Sequence, residues 1–236
     1  MLIKDIKKLE EFIEWLPELK DNQKFLLCLF ARDKYNKSNK IKGGSFQLQR
    51  FVTDKSKMIN KIKRLESYLH LLEVNGKELD ESSFGLYIKT NPTCSHRASL
   101  MFNKEIINRT LEGDLYYNPE VLLMDCFQNI RYDSFLLDLD IDFTSENVSY
   151  DEVLNHLISM DFLNESAWIN NIIRTRGGFH IQINTKKIQE DYRKTWRSKL
   201  FSKKSELYTI GMNDKNMIPL PGCNQFTYVP QLIKNK

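Results

Sequence analysis

Residues 135–142 read FLLDLDID, and this run constrains the fold more than any other part of the chain. On a strand, successive side chains point to opposite faces. Asp138, Asp140 and Asp142 then share one face, while Leu137, Leu139 and Ile141 point into a core. Three neighbouring carboxylates repel one another unless a cation sits between them. Hard oxygen ligands suit Mg²⁺ or Mn²⁺, which bind a few carboxylates together with substrate phosphates. The competing reading is an ordinary half-exposed strand with acidic outer positions. Aspartate is depleted in strands, so the unbroken alternation favours the metal.

The pattern on either side of this strand divides the chain. Apolar residues recur at helical spacing through Leu9, Phe12, Ile13, Leu16 and Leu19, and residues 25–31 read as a buried helix. A helical pattern resumes over 53–72 and stops at Asn75–Gly76. From residue 84 the character changes. Strands are expected at 84–90, 134–143, 172–173, 179–183 and 226–233, and helices at 103–111, 119–130, 150–162 and 186–201. Helices between strands predict a mixed α/β sheet. The expected division is a helical N-terminal region, residues 1–80, followed by an α+β catalytic core, residues 81–236.

A second patch, RTRGGFHIQI at 174–183, sets Arg174 and Arg176 before Gly177 and Gly178, then His180 on an alternating strand with Gln182. Glycines let backbone approach a ligand closely, and arginine forks match phosphate oxygens. A lone histidine is more often structural, and here its Arg–Gly context favours contact with a triphosphate oxygen. A third patch, DKNMIPLPGCNQ at 214–225, places a rigid Pro-Gly turn before the last strand.

The net charge is only +4, but residues 32–64 hold eleven Lys/Arg against Asp33 and Asp54. Residues 186–204 hold eight against Glu190 and Asp191, among them Lys186, Lys187, Arg193, Lys194 and Arg197. Such stretches attract phosphate backbones by releasing counterions, and equally serve as solvated faces. Tyr192 and Trp196 within the second stretch either stack bases or bury their rings in the core. Cys94 and His96 supply at most two ligands of the four a structural zinc needs. The four cysteines have no paired spacing, no apolar run is long enough for a membrane span, and no Gly-rich Walker loop is present. A cytoplasmic protein with no membrane association is expected.

The three patches, in this order, resemble the archaeo-eukaryotic primase superfamily, over residue 84 to the C-terminus. Its first motif, a hydrophobic strand ending Asp-x-Asp, is matched by Asp138 and Asp140, and its second by Gly178-Phe179-His180. LYIKTNP at 86–92 is similar to its early strand, after which Arg97 is the nearest arginine. At the third motif Asp214 has the right place but follows Asn213 instead of an apolar residue, and the Pro-Gly loop has Pro219 and Cys223 where members carry Arg and Ser/Thr. The resemblance implies a core containing an RRM-like sheet and a template-directed primase or polymerase that joins nucleoside triphosphates on single-stranded DNA. Asp138, Asp140 and Asp214 would hold two Mg²⁺ or Mn²⁺ ions. Arg174, Arg176, Gly177, Gly178, His180 and Asn224 would bind the nucleotide. Arg97 and the basic residues of 186–197 would bind nucleic acid, and a replicative helicase would be supplied by a partner. The alternatives are a metal-dependent nuclease and a catalytically silent nucleic-acid-binding accessory protein.

Overall fold

The computed structural model describes residues 1–32, 44–74, 76–114, 116–130, 136–144, 148–158, 169–202, 205–213 and 217–233. In chain order these form α1 (Ile6–Trp15), β1 (Gln23–Arg32), β2 (Ser45–Thr53), α2 (Lys55–Glu66), β3 (Glu73–Val74), β4 (Lys77–Glu78), β5 (Phe84–Lys89) and β6 (Thr93–Cys94). Then follow α3 (Ser95–Glu112), α4 (Pro119–Asn129), β7 (Leu136–Phe143), α5 (Tyr150–Ile158), β8 (Ile169–Arg174), β9 (Gly178–Asn184), α6 (Trp196–Ser202), β10 (Tyr208–Asn213), β11 (Met217–Pro219) and β12 (Gln231–Ile233).

Local chemistry places several of these ends. Asn118 caps α4 by accepting from the backbone N–H groups of Glu120 and Val121, with Pro119 pre-set for the first helical position. Gly113 closes α3 at φ 76°, the left-handed turn that favours glycine.

Two five-stranded sheets organise the chain. The first runs β11-β5-β1-β2, with β6 beside β1, and the second runs β10-β7-β9-β8-β12. The class is α+β. The pairings within both sheets are antiparallel, where a mixed sheet was expected. The N-terminal region also departs from expectation, since residues 25–31 lie in β1 and not in a helix. The physical reason is that β1 sits mid-sheet with both faces covered, so it loses the alternation that identifies a strand. A short apolar run buried all round reads alike in either state. The first sheet combines β1 and β2 with β5 and β11, so a boundary at residue 80 cuts through it.

One face of the first sheet packs Leu27, Leu29, Leu86 and Ile88 against Leu9 and Phe12 of α1 and Met58 and Ile62 of α2. Its other face packs Leu26, Cys28 and Tyr87 with Met217 and Phe226, and Met124 of α4 lies against them. The second unit has chain order β7-α5-β8-β9-α6-β10 and sheet order β10-β7-β9-β8. That is the ferredoxin-like βαββαβ arrangement, shared by RRM modules. Val153 and Leu157 of α5 and Trp196 and Leu200 of α6 cover Leu139, Ile141, Phe179, Ile181 and Ile183 on one face of this sheet.

The other face turns toward the first sheet. Asn91, just after β5, exchanges two hydrogen bonds with the Leu136 backbone, donating to its O at 2.7 Å and accepting from its N at 3.2 Å. Ile173 of β8 is buried in the first sheet's core, and Leu232 of β12 packs against it. No helix among the described residues is long and apolar enough to cross a membrane.

Two other elements are shorter than expected. The basic helix begins only at Trp196, after 3₁₀ turns at Thr185–Lys187 and Glu190–Tyr192. The last strand keeps only β12, because Phe226 and Thr227 take φ of 52° and 83°, which no strand allows.

Candidate active site

Antiparallel pairing decides which side chains meet across the open face of the second sheet. Asp138 stands opposite Gln182, Asp140 opposite His180 and Asp142 opposite Gly178. On the far side of β7, Asn213 pairs with Asp138 and Gly211 with Asp140. Directly paired residues share a face, so the carboxylates, the histidine and the glutamine form one polar surface. Gly178 is required by the close approach of β7, since a methyl group there would overlap the Ile141 carbonyl.

Asp138 is fully buried (0 % exposed). One of its oxygens lies 2.9 Å from His180 Nδ1, and the other accepts from Gln182 Nε2 at 2.6 Å. Gln182 Oε1 in turn accepts from Thr90 Oγ1 at 2.9 Å, which ties this network to the end of β5 in the first sheet. Buried polar groups of this kind are costly unless each is satisfied, and here they satisfy one another. The bond to Asp138 assigns the proton to Nδ1 of His180. Nε2 lies 3.6 Å from Asp140 Oδ1.

The electrostatics follow from this packing. Burial works against a charged imidazole, yet the charge of Asp138, its hydrogen bond and the charges of Asp140 and Asp142 outweigh it and hold His180 above its usual pKa. Burial also raises the Asp140 carboxyl, with Asp138 adding to the effect and His180 and Arg32 opposing it. The Asp140 side chain is nonetheless 41 % exposed, and Asp142 is exposed as well.

As a metal centre the arrangement has the right donor chemistry, hard carboxylate oxygens on one face. Among the described residues no three His, Cys, Asp or Glu side chains form a set ready to hold a metal ion. Asp138 turns its oxygens to His180 and Gln182, and Asp140 presents the accessible carboxylate. Asp214, expected as the third carboxylate, lies outside the described residues.

The remaining expected residues scatter. Arg176 and Gly177 lie exposed in the turn between β8 and β9, beside Gly178. Arg174 pairs with Phe179 and acts on Tyr150, so it belongs to the helix-covered face and not to that of His180. The alternation of β8 puts the two arginines of RTRGG in different surroundings.

Asn224 is buried and spends its side chain on the backbone. It donates to the Glu81 and Phe84 carbonyls and accepts from the Thr227 N–H. The Pro-Gly loop around it braces the N-terminus: Lys4 N and Asp5 N both donate to Gly222 O at 2.9 Å, and Asn224 N donates to Leu2 O. Gly222, at φ 78°, has no room for a side chain against Asp5 and Leu9.

Arg97 is exposed near the start of α3, and Lys186 and Lys187 are exposed just past β9. Arg193, Lys194 and Arg197 converge, lining a cavity of about 500 Å³ with Thr185, Leu136, Leu137 and Trp196. Trp196 itself is a core residue, with the Arg197 guanidinium 5.4 Å from its ring centroid.

Sequence reasoning missed Thr90, which ends a strand-like run where nothing local indicates an opposing sheet. The chain matches no family model, no curated protein and no solved structure, so the functional reading rests on the geometry and on the motif resemblance.

Proposed function

We propose that this chain is a template-directed primase-polymerase, a nucleotidyltransferase that joins nucleoside triphosphates on single-stranded DNA. The observation that carries the reading is the face of the βαββαβ unit. It sets Asp138, Asp140 and His180 side by side on neighbouring strands and turns them toward a second sheet. Phosphoryl transfer asks for positioning and charge neutralisation more than for covalent chemistry by the protein, and this face offers carboxylates that would hold the neutralising cations.

Asp140 is the accessible metal-binding carboxylate. Asp138 stands behind it as the anchor of His180, and Asp214 is the third candidate ligand. Held there, Mg²⁺ or Mn²⁺ would lower the pKa of an attacking hydroxyl and neutralise charge on the leaving pyrophosphate. In the reaction a 3′-hydroxyl oxygen bonds to the α-phosphorus, the bond to the bridging oxygen breaks, and pyrophosphate departs. His180, fixed by Asp138 and held above its usual pKa, donates as the imidazolium through Nε2 to a phosphate oxygen. Arg176 and the exposed turn at Gly177 meet the same triphosphate. The cavity lined by Arg193, Lys194 and Arg197 receives the phosphate backbone of the nucleic acid.

The test is incubation with primed and unprimed single-stranded DNA, labelled nucleotides and Mn²⁺ or Mg²⁺, beside an Asp138→Ala/Asp140→Ala variant. Metal-dependent products are expected for the wild type, reduced about 10³-fold or more in the variant. Product on unprimed template makes the protein a primase. Template shortened without incorporation would make it a nuclease, and nucleotides and template both left intact would favour a binding protein.

A further inference from the structure

α3 is the longest helix among the described residues, at 18 residues, and only one side of it is covered. Ala98 and Met101 pack there against Phe127 and Ile130, beside α4. On the opposite side Leu100, Ile107 and Leu111 stand 55 %, 59 % and 81 % exposed. At 3.6 residues per turn these three fall within about 40° of one another and make a straight apolar stripe roughly 16 Å long. Single exposed apolar side chains are ordinary, whereas an aligned set marks a contact surface.

The flank of the stripe indicates what covers it. Arg97, Lys104, Asn108 and Glu112 follow one another along that side, all exposed. Its N-terminal end is therefore positive and its C-terminal end negative. Neither Arg97 nor Glu112 forms an ion pair among the described residues. A surface with this order of charges is complementary to itself when one copy is reversed.

A two-fold axis crossing the helix between residues 105 and 106 makes the match explicit. Leu100 faces Leu111 of the second copy, and the two Ile107 side chains meet beside the axis. In an antiparallel pair about such an axis, each flank lies along the same flank of the other copy. Arg97 then comes within about one turn of Glu112 of the second copy, and the contact is repeated at the other end. A parallel pair would leave these opposite charges at opposite ends.

We propose that this face of α3 is the contact between two copies of the chain, paired antiparallel about Ile107. The interface is small. One helix face per copy lies at the low end of specific interfaces, below about 1,200 Å² in total, so a dissociation constant on the order of 10–100 µM is expected.

The test is sedimentation equilibrium of the full chain between about 1 and 300 µM, a range that brackets such an affinity. Wild type should show a monomer–dimer equilibrium. Ile107→Glu sets two carboxylates close together at the axis and should weaken the dimer about tenfold or more. Arg97→Glu should weaken it about three- to fivefold, and Arg97→Glu/Glu112→Arg should recover most of that loss. All three variants change exposed positions, so their thermal melts should match the wild type. The register is read by mixing Leu100→Cys with Leu111→Cys and adding a short bis-maleimide. The mixed cross-linked dimer should exceed either homodimer, above the background that Cys94 gives in the wild type.

A monomer throughout the concentration range would overturn the assignment and leave the stripe to a partner of another kind. So would a dimer indifferent to Ile107→Glu, which would place the contact elsewhere. Homodimeric cross-links in excess of the mixed one would overturn the antiparallel pairing.

Discussion

β1 and β7 each run down the middle of a five-stranded antiparallel sheet, and they are built on opposite plans. β1 buries Phe25, Leu26, Leu27, Cys28 and Leu29 in succession, because helices cover one face of its sheet and further apolar packing covers the other. β7 sends Leu139 and Ile141 to the helices and keeps Asp138, Asp140 and Asp142 for the face that looks at the first sheet. Over residues 25–29 β1 stabilises the fold and leaves no side chain exposed for chemistry. A sheet covered by helices on one side only can hold charge on the other, provided something polar faces it. In this protein Thr90 and Asn91 supply that counterpart.

The comparison is broken most directly at Phe25. Truncation to alanine in the closed sheet should cost about 3–5 kcal/mol of stability, read as a shift in the urea midpoint. Activity per folded molecule should stay near wild type. If activity falls while the midpoint holds, the first sheet is part of the chemistry in a way its packing does not suggest.

In the open sheet, Gly178→Ala sets a methyl against the Ile141 carbonyl and forces β7 and β9 apart at the site itself. A loss of about 3 kcal/mol is expected, together with loss of nucleotide incorporation. Full activity in a destabilised variant would show that the pairing of Asp142 with Gly178 does not matter to catalysis.

A smaller effect sharpens the contrast on the first sheet's side. Lys89 is 2 % exposed and donates to the Gln128 carbonyl at 2.9 Å, and burial lowers its pKa to about 8. A lysine lowered in the folded state binds its proton more tightly when unfolded. Stability should therefore rise as pH climbs from about 8 towards the unfolded value of about 10.4, by at most roughly 3 kcal/mol. Lys89→Met should flatten that slope. Melts between pH 7 and 10 would settle the point, and a wild-type curve already flat over that range would mean the amine is better solvated than its burial implies.

What could be read directly from the chain was whatever depends on alternation and on local turn chemistry. FLLDLDID and GGFHIQI are each strands with one polar face, and they do pair, with Asp140 opposite His180. The strand from Phe84 and the helix starting at Pro119 were legible for the same reason, since their signals lie within a few residues of one another. β1 was not legible, because burial on both faces removes the period that separates strand from helix. Asn224 and the Pro-Gly loop looked like ligand contacts, yet they serve as a brace for the N-terminus. Nothing local to residues 219–225 reports that Leu2 and Asp5 will lie against them.

The chain by itself determined that Asp138, Asp140 and Asp142 would share one face of their strand and that His180 and Gln182 would share one face of theirs, because side-chain direction on a strand is a matter of parity. Only the tertiary structure decided that Asp138 would be buried as the anchor of His180 while Asp140 stayed accessible. It also decided that Gln182 would reach Thr90. Those relations join residues 42 to 92 positions apart in the chain, and they exist only once strands have paired and the two sheets have met.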